Sequence, residues 1–169
     1  MKSTILASAL ILALFSSVAL AHGDQHPAQK FDPATVEQMA FGKAGDPHKI
    51  SRSITIAMGD DMRYTPERIA VTQGETIRLV VMNRGKAMHE IVIGSMKELA
   101  EHAELMKRFP DMEHSEPHMA HVKPGKTQEI VWTFNTPGEF NFACLMAGHM
   151  EAGMLGKITV AAKKHKTAG

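Results

Sequence analysis

The chain has 169 residues, and its 19 lysines and arginines nearly balance 18 aspartates and glutamates, which gives a formal net charge of +1 at pH 7. This length suffices for one domain with its own core, and no basic patch points to a nucleic-acid partner. The composition includes one cysteine, 13 methionines and 10 histidines. One cysteine excludes an internal disulfide, and in an oxidising compartment a lone thiol needs burial or a bound metal to protect it.

Residues 1–21 have the pattern of an export signal. Lys2 supplies a positive start, residues 5–18 an apolar run, and residues 19–21 a small-residue cleavage site of sequence Ala-Leu-Ala. A membrane anchor is the alternative, but the apolar run is short for a membrane span and a polar segment follows it at once. We therefore predict export to the periplasm, cleavage after Ala21, and a mature chain that is not attached to the membrane.

Residues 22–48 are rich in Gly, Asp, Gln, Pro and Lys and show little periodicity, which predicts a flexible N-terminal arm. After cleavage, His22 would offer an α-amine and an imidazole together, a weak chelate for Cu(II). A solvated polar tail is the alternative for this segment.

Strand patterns begin at Lys49. Apolar side chains alternate with polar ones in several short segments separated by Pro and Gly turns. The clearest alternating sets are Ile54, Ile56 and Met58; Ile77, Leu79 and Val81; Ile130, Trp132 and Phe134; and Phe140, Phe142 and Cys144. Seven or so such strands predict an all-β sandwich over residues 49–162. Residues 163–169 are predicted to be a solvated basic tail.

One helix interrupts the strands. Ser95 and Glu98 form a capping box, an apolar face follows, and Pro110 ends the helix. A loop rich in methionine and histidine comes next, so residues 95–123 are predicted to be an insertion between strands. Its candidate secondary copper ligands are Met112, His114, His118, Met119 and His121. The alternative is that the methionines fill gaps in the core and the histidines are solvated.

The main candidate site combines Cys144, His149, Met154 and His89. A thiolate, two imidazoles and a weak thioether are the donors of a copper site that can change oxidation state with little rearrangement. Taken singly, His149 could be a plain loop histidine and Met154 a core residue, but together with the only cysteine they favour a metal site. His89 completes the set because it opens an apolar strand after a turn. Zinc is less suited, since methionine is a poor zinc ligand.

The chain resembles the cupredoxins over residues 50–162. The resemblance rests on Tyr64-x-Pro66-x-x-Ile69-x-Val71-x-x-Gly74-Glu75, Asn83, His89, and Gly138-x-Phe140-x-Phe142-x-Cys144-x₄-His149-x₄-Met154 with Gly156. It implies a Greek-key β-sandwich that binds one type 1 copper. His89, Cys144 and His149 would be the equatorial ligands and Met154 the axial one. A closer resemblance is to periplasmic copper-tolerance cupredoxins of the CopI kind, in the histidine-containing N-terminus, the 98–106 helix and the 142–154 segment.

One residue departs from the family pattern. Many blue-copper proteins place Asn directly after the first ligand histidine, where it ties the ligand loop, and here that residue is Glu90. Hydrogen bonds around a metal site tune it, so a more tetragonal, green-absorbing site stays open beside a blue one.

Two functions follow from these patterns. The surplus of soft ligands favours a protein of copper tolerance that binds periplasmic copper and cycles between Cu(I) and Cu(II). The alternative is a dedicated one-electron carrier between periplasmic redox proteins. The expected partners are copper ions and a periplasmic redox or copper-handling protein. No second cysteine and no paired His-x-His ligands are present for a multinuclear copper centre, so we do not expect an enzyme.

Overall fold

The computed structural model describes residues 31–109 and 115–164. Eleven strands and one α-helix lie within this part of the chain. In chain order they are β1 (Gln38–Met39), β2 (Gly42–Ala44), β3 (Arg52–Gly59), β4 (Arg63–Thr65), β5 (Arg68–Thr72), β6 (Glu75–Asn83), β7 (His89–Gly94), α1 (Met96–Arg108), β8 (Met119–Val122), β9 (Thr127–Phe134), β10 (Gly138–Ala143) and β11 (Leu155–Ala161). A 3₁₀ turn, Pro47–Lys49, lies between β2 and β3.

The strands form two sheets. One has the order β1-β2-β9-β6-β3-β4 and the other the order β5-β11-β10-β7-β8. Most neighbours are antiparallel, while β3 with β6 and β5 with β11 are parallel. The predicted all-β sandwich with one helix is therefore confirmed.

The core lies between the two sheets because each strand turns every second side chain inward. On β9 the inward side chains are Ile130, Trp132 and Phe134, and all three are buried. Phe140, Phe142 and Cys144 continue the same pattern on β10 and just beyond it. The predicted alternation thus brings the cysteine inside the sandwich at the end of a strand.

The prediction of a flexible arm over residues 22–48 is wrong for the later part of that segment. β2 pairs with β9, with Lys43 opposite Thr133, and the Phe41 side chain is 1% exposed. The Trp132 indole Nε1–H donates a hydrogen bond of 3.1 Å to the Phe41 carbonyl, and the two rings stack with centroids 5.4 Å apart. The strands β1 and β2, of two and three residues, are too short to show a period, so the sequence pattern did not predict them. Residues 22–30 lie outside the described part.

The helix is confirmed, with both hydrogen bonds of the Ser95–Glu98 capping box present. The second half of the predicted insertion is not a loop, however. β8 pairs antiparallel with β7, and Met119 is buried in a cluster with Leu99 and Met106 of the helix. The helix therefore packs against one face of the second sheet, over buried residues of β7, β8 and β10.

No helix among the described residues is long and apolar enough to cross a membrane. The predicted export signal over residues 1–21 and most of the basic tail lie outside those residues.

Candidate metal centre

The segment between β10 and β11, residues 144–154, is here called the Cys–Met loop. Its base is closed by a main-chain hydrogen bond of 3.1 Å from Cys144 N–H to the Met154 carbonyl. Met154 N–H in turn donates to the His149 carbonyl at 3.0 Å. The loop therefore folds back on itself and brings its three candidate ligands to one end of the sandwich.

The fourth candidate comes from a neighbouring strand. β7 pairs antiparallel with β10, so His89 at the start of β7 lies beside the end of β10, where Cys144 follows. The ligand atoms of His89, Cys144 and His149 all lie within 4.8 Å of one another. Cys144 Sγ is 3.3 Å from His149 Nδ1, and the two imidazole rings have centroids 5.0 Å apart. Among the described residues, this is the one such group of three histidine, cysteine or acidic side chains.

His89 has a defined orientation. Its Nε2 lies 3.2 Å from Asp60 Oδ1, and because an ionised carboxylate only accepts, Nε2 carries the proton and Nδ1 keeps its lone pair. Within the described part of the chain, His89 Nδ1 is buried without a hydrogen-bond partner. A buried nitrogen lone pair facing a thiol and a second imidazole fits a metal ion well.

Asp60 is itself held in place. Its carboxylate accepts from the main-chain N–H of Lys86 at 2.8 Å and of Ala87 at 3.1 Å. These two hydrogen bonds, with a smaller contribution from His89, lower the pKa of Asp60. The carboxylate is therefore ionised near neutral pH and can accept the His89 proton.

Cys144 is fully buried. Its sulfur accepts a hydrogen bond of 3.4 Å from Glu90 N–H, and the Met146 main chain also donates to it. Burial outweighs these two hydrogen bonds and raises the pKa of the thiol to about 12. The metal-free protein thus keeps a thiol at neutral pH, and metal binding has to release its proton.

His149 stands at the open side of the site. Its side chain is half-buried, and the neighbouring Ala147 and Gly148 are exposed. Burial and the nearby His89 lower the pKa of His149. The imidazole is therefore neutral near pH 7, which is the form that binds a metal.

Met154 is fully buried and belongs to the same core cluster as Cys144. Its main chain is hydrogen-bonded to both Cys144 and His149. The fold thus ties the Met154 main chain to those of the other two loop residues, and its role as a ligand stays a prediction.

Three contacts that the sequence analysis did not find tie the Cys–Met loop to other elements. Glu90 Oε1 on β7 accepts a hydrogen bond of 2.8 Å from Leu145 N–H. Arg63 Nη1 on β4 donates to the Ala152 carbonyl at 2.8 Å, and Lys107 on α1 pairs with Glu151 at 2.6 Å. For Glu90 a signal existed, since it is an acidic residue inside an apolar strand. For the other two no pattern in the sequence points to the contact.

The candidate secondary ligands have other surroundings. Met119 packs in the apolar cluster of the helix, and the His118 ring lies against those of Phe41 and Trp132, with centroids 5.5 Å and 5.9 Å away. His121 Nδ1 is 3.0 Å from Glu90 Oε2. Each of these three described residues therefore has a packing or pairing contact, and their role as secondary copper ligands stays a prediction. His22, Met112 and His114 lie outside the described residues.

The comparisons with known proteins agree on one family. The model of the cupredoxin-like domain matches residues 6–160. The copper-resistant cuproprotein CopI of Rubrivivax gelatinosus is 41% identical over 167 residues, covering 95% of this chain and 99% of that protein. The proteins of the same name from Pseudomonas aeruginosa and Vibrio cholerae are 34% and 32% identical, covering 72% and 93% of this chain and 82% and 98% of their own lengths.

Solved structures agree with the fold. The dithionite-reduced auracyanin of Roseiflexus castenholzii superposes with a TM-score of 0.58 at 25% identity, covering 66% of this chain and 98% of that one. Auracyanin B gives a TM-score of 0.61 at 16% identity, covering 71% and 96%. At the lower identity the likeness concerns the fold alone.

Proposed function

Because this chain belongs to the cupredoxin-like family, we propose that it is a periplasmic type 1 copper protein that serves copper tolerance. One observation carries the metal assignment. The His89 Nδ1 is buried without a hydrogen-bond partner in the described chain, and the ligand atoms of His89, Cys144 and His149 lie within 4.8 Å of one another. The names of the relatives, copper-resistant cuproproteins, support the role in tolerance.

The donor chemistry fits copper in both oxidation states. A soft thiolate and thioether favour Cu(I), whereas two neutral imidazoles suit Cu(I) and Cu(II) alike. Copper bound to these donors would exchange one electron as it passes between the two states. We assign His89, Cys144 and His149 as the equatorial ligands and Met154 as the axial one.

The protein supplies a frame that is already formed around the ligands. Asp60 fixes the His89 ring, and two main-chain N–H groups point at the Cys144 sulfur. Burial of Cys144 and Met154 keeps water from the inner side of the site. With little left to rearrange, a change of oxidation state meets a low structural barrier. This arrangement supports binding and electron exchange rather than catalysis on an organic substrate.

A second role, one-electron transfer to another periplasmic protein, is favoured by the position of His149. Its half-buried ring lies among exposed small residues, Ala147 and Gly148. A partner could therefore approach one ligand edge closely. Electron transfer and copper tolerance need the same copper site, so the two roles differ only in what the protein does in the cell.

The metal assignment is tested by loading the purified mature protein with Cu(II) and recording optical and spin-resonance spectra with the metal stoichiometry. We expect an intense visible thiolate-to-copper band that is lost in Cys144→Ser and kept in the control His118→Gln. A band retained in Cys144→Ser would contradict the assignment.

The cellular role is tested by growth of a deletion strain in copper. We expect growth to fail at copper concentrations that the parent tolerates, with recovery by the wild-type gene and not by Cys144→Ser. Unchanged growth together with rapid electron exchange with a periplasmic cytochrome would favour the carrier role.

A further inference from the structure

The Glu90 side chain is 1% exposed, although a carboxylate is costly to bury without partners. It follows His89 directly on β7, and its neighbours Ile91, Val92 and Ile93 are apolar and buried. A charge in such a place is retained in a folded protein when hydrogen bonds satisfy it. The contacts of Glu90 therefore define what it does.

Both carboxylate oxygens of Glu90 have a defined contact. Oε1 accepts the Leu145 main-chain N–H at 2.8 Å, and Oε2 lies 3.0 Å from His121 Nδ1. The second contact places an imidazole nitrogen at ion-pair distance from a carboxylate oxygen. Glu90 therefore joins an imidazole on one side to the Cys–Met loop on the other.

Strand register makes this bridge possible. β7 lies between β10 and β8 in the sheet, and Glu90 is directly opposite His121 in the β7–β8 pair. The peptide group after Cys144 lies on the other side, beyond the end of β10. The edge strand β8 is thus connected to the loop through one side chain.

The main chain of Glu90 contacts the site as well. Its N–H donates a hydrogen bond of 3.4 Å to Cys144 Sγ, and its carbonyl accepts one of 2.7 Å from the buried Tyr64 hydroxyl. A shift of Glu90 would therefore move a donor to the sulfur and release the Leu145 amide at the same time. Few residues outside the ligand set have so direct a route to the Cys144 sulfur.

We propose that Glu90 and His121 form a positioning pair, in which the imidazole holds the carboxylate and the carboxylate holds the Leu145 amide, so that the pair sets the place of the Cys144 sulfur. This inference rests on the proposed copper ligands. It assigns His121 a role in shaping the site instead of one as a secondary ligand.

The chemistry explains why an acid is needed here. The Leu145 N–H donates to Oε1, and His121 Nδ1 lies close to Oε2. An amide side chain has one accepting oxygen, whereas a carboxylate has two. Gln at position 90 keeps one oxygen for these contacts but loses the negative charge and the second oxygen, and removal of His121 takes away the contact with Oε2.

The first experiment uses the metal-free protein and measures amide hydrogen exchange at Leu145 by NMR. We expect exchange to be about tenfold faster in His121→Ala and in Glu90→Gln, since the hydrogen bond to the amide is weakened. The control Glu139→Gln removes a 62% exposed carboxylate that pairs with Lys157 on neighbouring strands. It should leave Leu145 exchange unchanged.

The second experiment records the optical and spin-resonance spectra of the copper-loaded variants. We expect His121→Ala to shift the thiolate-to-copper band and the copper hyperfine splitting while copper stoichiometry stays at the wild-type value. His121→Gln keeps a side-chain N–H donor and should restore both spectra toward wild type. His121 is 35% exposed, so these variants remain informative even where Glu90→Gln does not fold.

Two results would overturn the pair. One is wild-type Leu145 exchange and wild-type spectra in His121→Ala, and the other is an equal spectral shift in His121→Ala and His121→Gln. Failure of the proposed function would give a different result, because the wild-type protein itself would then lack the thiolate-to-copper band. The exchange measurement uses the metal-free protein, so it would still test whether Glu90 and His121 act as a pair.

Discussion

Asp60 Oδ1 and His89 Nε2 lie 3.2 Å apart, which joins a 43% exposed carboxylate to a fully buried imidazole. The turn after β3 supplies the acid, and the start of β7 supplies the histidine. Because this contact decides which ring nitrogen carries the proton, it also decides which one is free to bind a metal. In the proposed ligand set, Asp60 would thus orient the His89 ligand without being a ligand itself.

Replacing Asp60 tests this control. In Asp60→Ala the His89 ring loses its acceptor, and we expect copper affinity to fall by about 10- to 100-fold, the usual cost of losing such a partner. Competition with a chromophoric copper chelator measures the change. Asp61→Asn serves as the control, since its side chain can still accept from Arg63 N–H. Equal affinity of Asp60→Ala and wild type would show that His89 does not depend on Asp60.

The packing of the N-terminal segment gives a second prediction. Phe41 is 1% exposed between the sheets, whereas Phe109 at the end of the helix is 54% exposed. We expect Phe41→Ala to lower the free energy of unfolding by about 3–5 kcal/mol through loss of burial and creation of a cavity. The matched change Phe109→Ala should stay within about 0.5 kcal/mol of wild type. Urea unfolding of the metal-free protein measures both, and similar values would refute the placement of Phe41 in the core.

The conformation of Gly153 gives a third prediction. Its φ is +100°, and an added Cβ would lie 2.6 Å from Arg63 Nη1, the group that donates to the Ala152 carbonyl. Gly74 has a φ of +89° but no atom within 4 Å of such a Cβ. We expect Gly74→Ala to cost about 1 kcal/mol from backbone strain alone. Gly153→Ala should cost clearly more in the same urea assay, because Arg63 has to move. An equal loss of stability in the two variants would mean that the Arg63 side chain can move aside without lowering the free energy of unfolding.

The fourth prediction concerns the stability of the fold at acidic pH. Arg52 donates two hydrogen bonds of 3.2 Å to Glu75, and Thr72 N–H donates a third of 2.7 Å, which together lower the pKa of Glu75 from its ordinary 4.5. A lowered carboxyl pKa stabilises the fold above the unfolded-state value and loses that contribution as the pH falls through the folded-state value. Glu75→Gln should therefore be less stable than wild type at pH 6 and approach it below about pH 4.

Thermal unfolding of the metal-free protein across this pH range measures the difference between wild type and Glu75→Gln. The exposed acid Glu139, which pairs with Lys157, provides the comparison through Glu139→Gln. A difference that stays constant with pH would show that Glu75 acts by packing and not by its charge.

Regular patterns in the sequence were sufficient for the main architecture. Alternating apolar residues such as Ile130, Trp132 and Phe134 predicted strands, because a strand turns every second residue to the core. The Ser95–Glu98 capping box located the helix, since both of its hydrogen bonds are local in sequence. The spacing of Cys144, His149 and Met154 likewise depends on one loop and could be read directly.

Features that depend on distant parts of the chain escaped prediction. β2 exists through pairing with β9, which lies some distance along the chain, and β1 pairs with β2 in turn. β8 exists through pairing with β7 and packing against the helix, so the segment that holds Met119 and His121 was predicted as a loop. Asp60 and Glu90 act on the site through contacts that only the folded sheets create.

The three ties of the Cys–Met loop have a consequence for protein engineering. Glu90, Arg63 and Lys107 belong to β7, β4 and α1, so the loop is seated on three separate elements. A graft of residues 144–154 into another β-sandwich would transfer the three proposed metal donors of the loop and leave the residues that anchor it behind. A portable version of this centre therefore has to include the anchoring side chains as well as the loop.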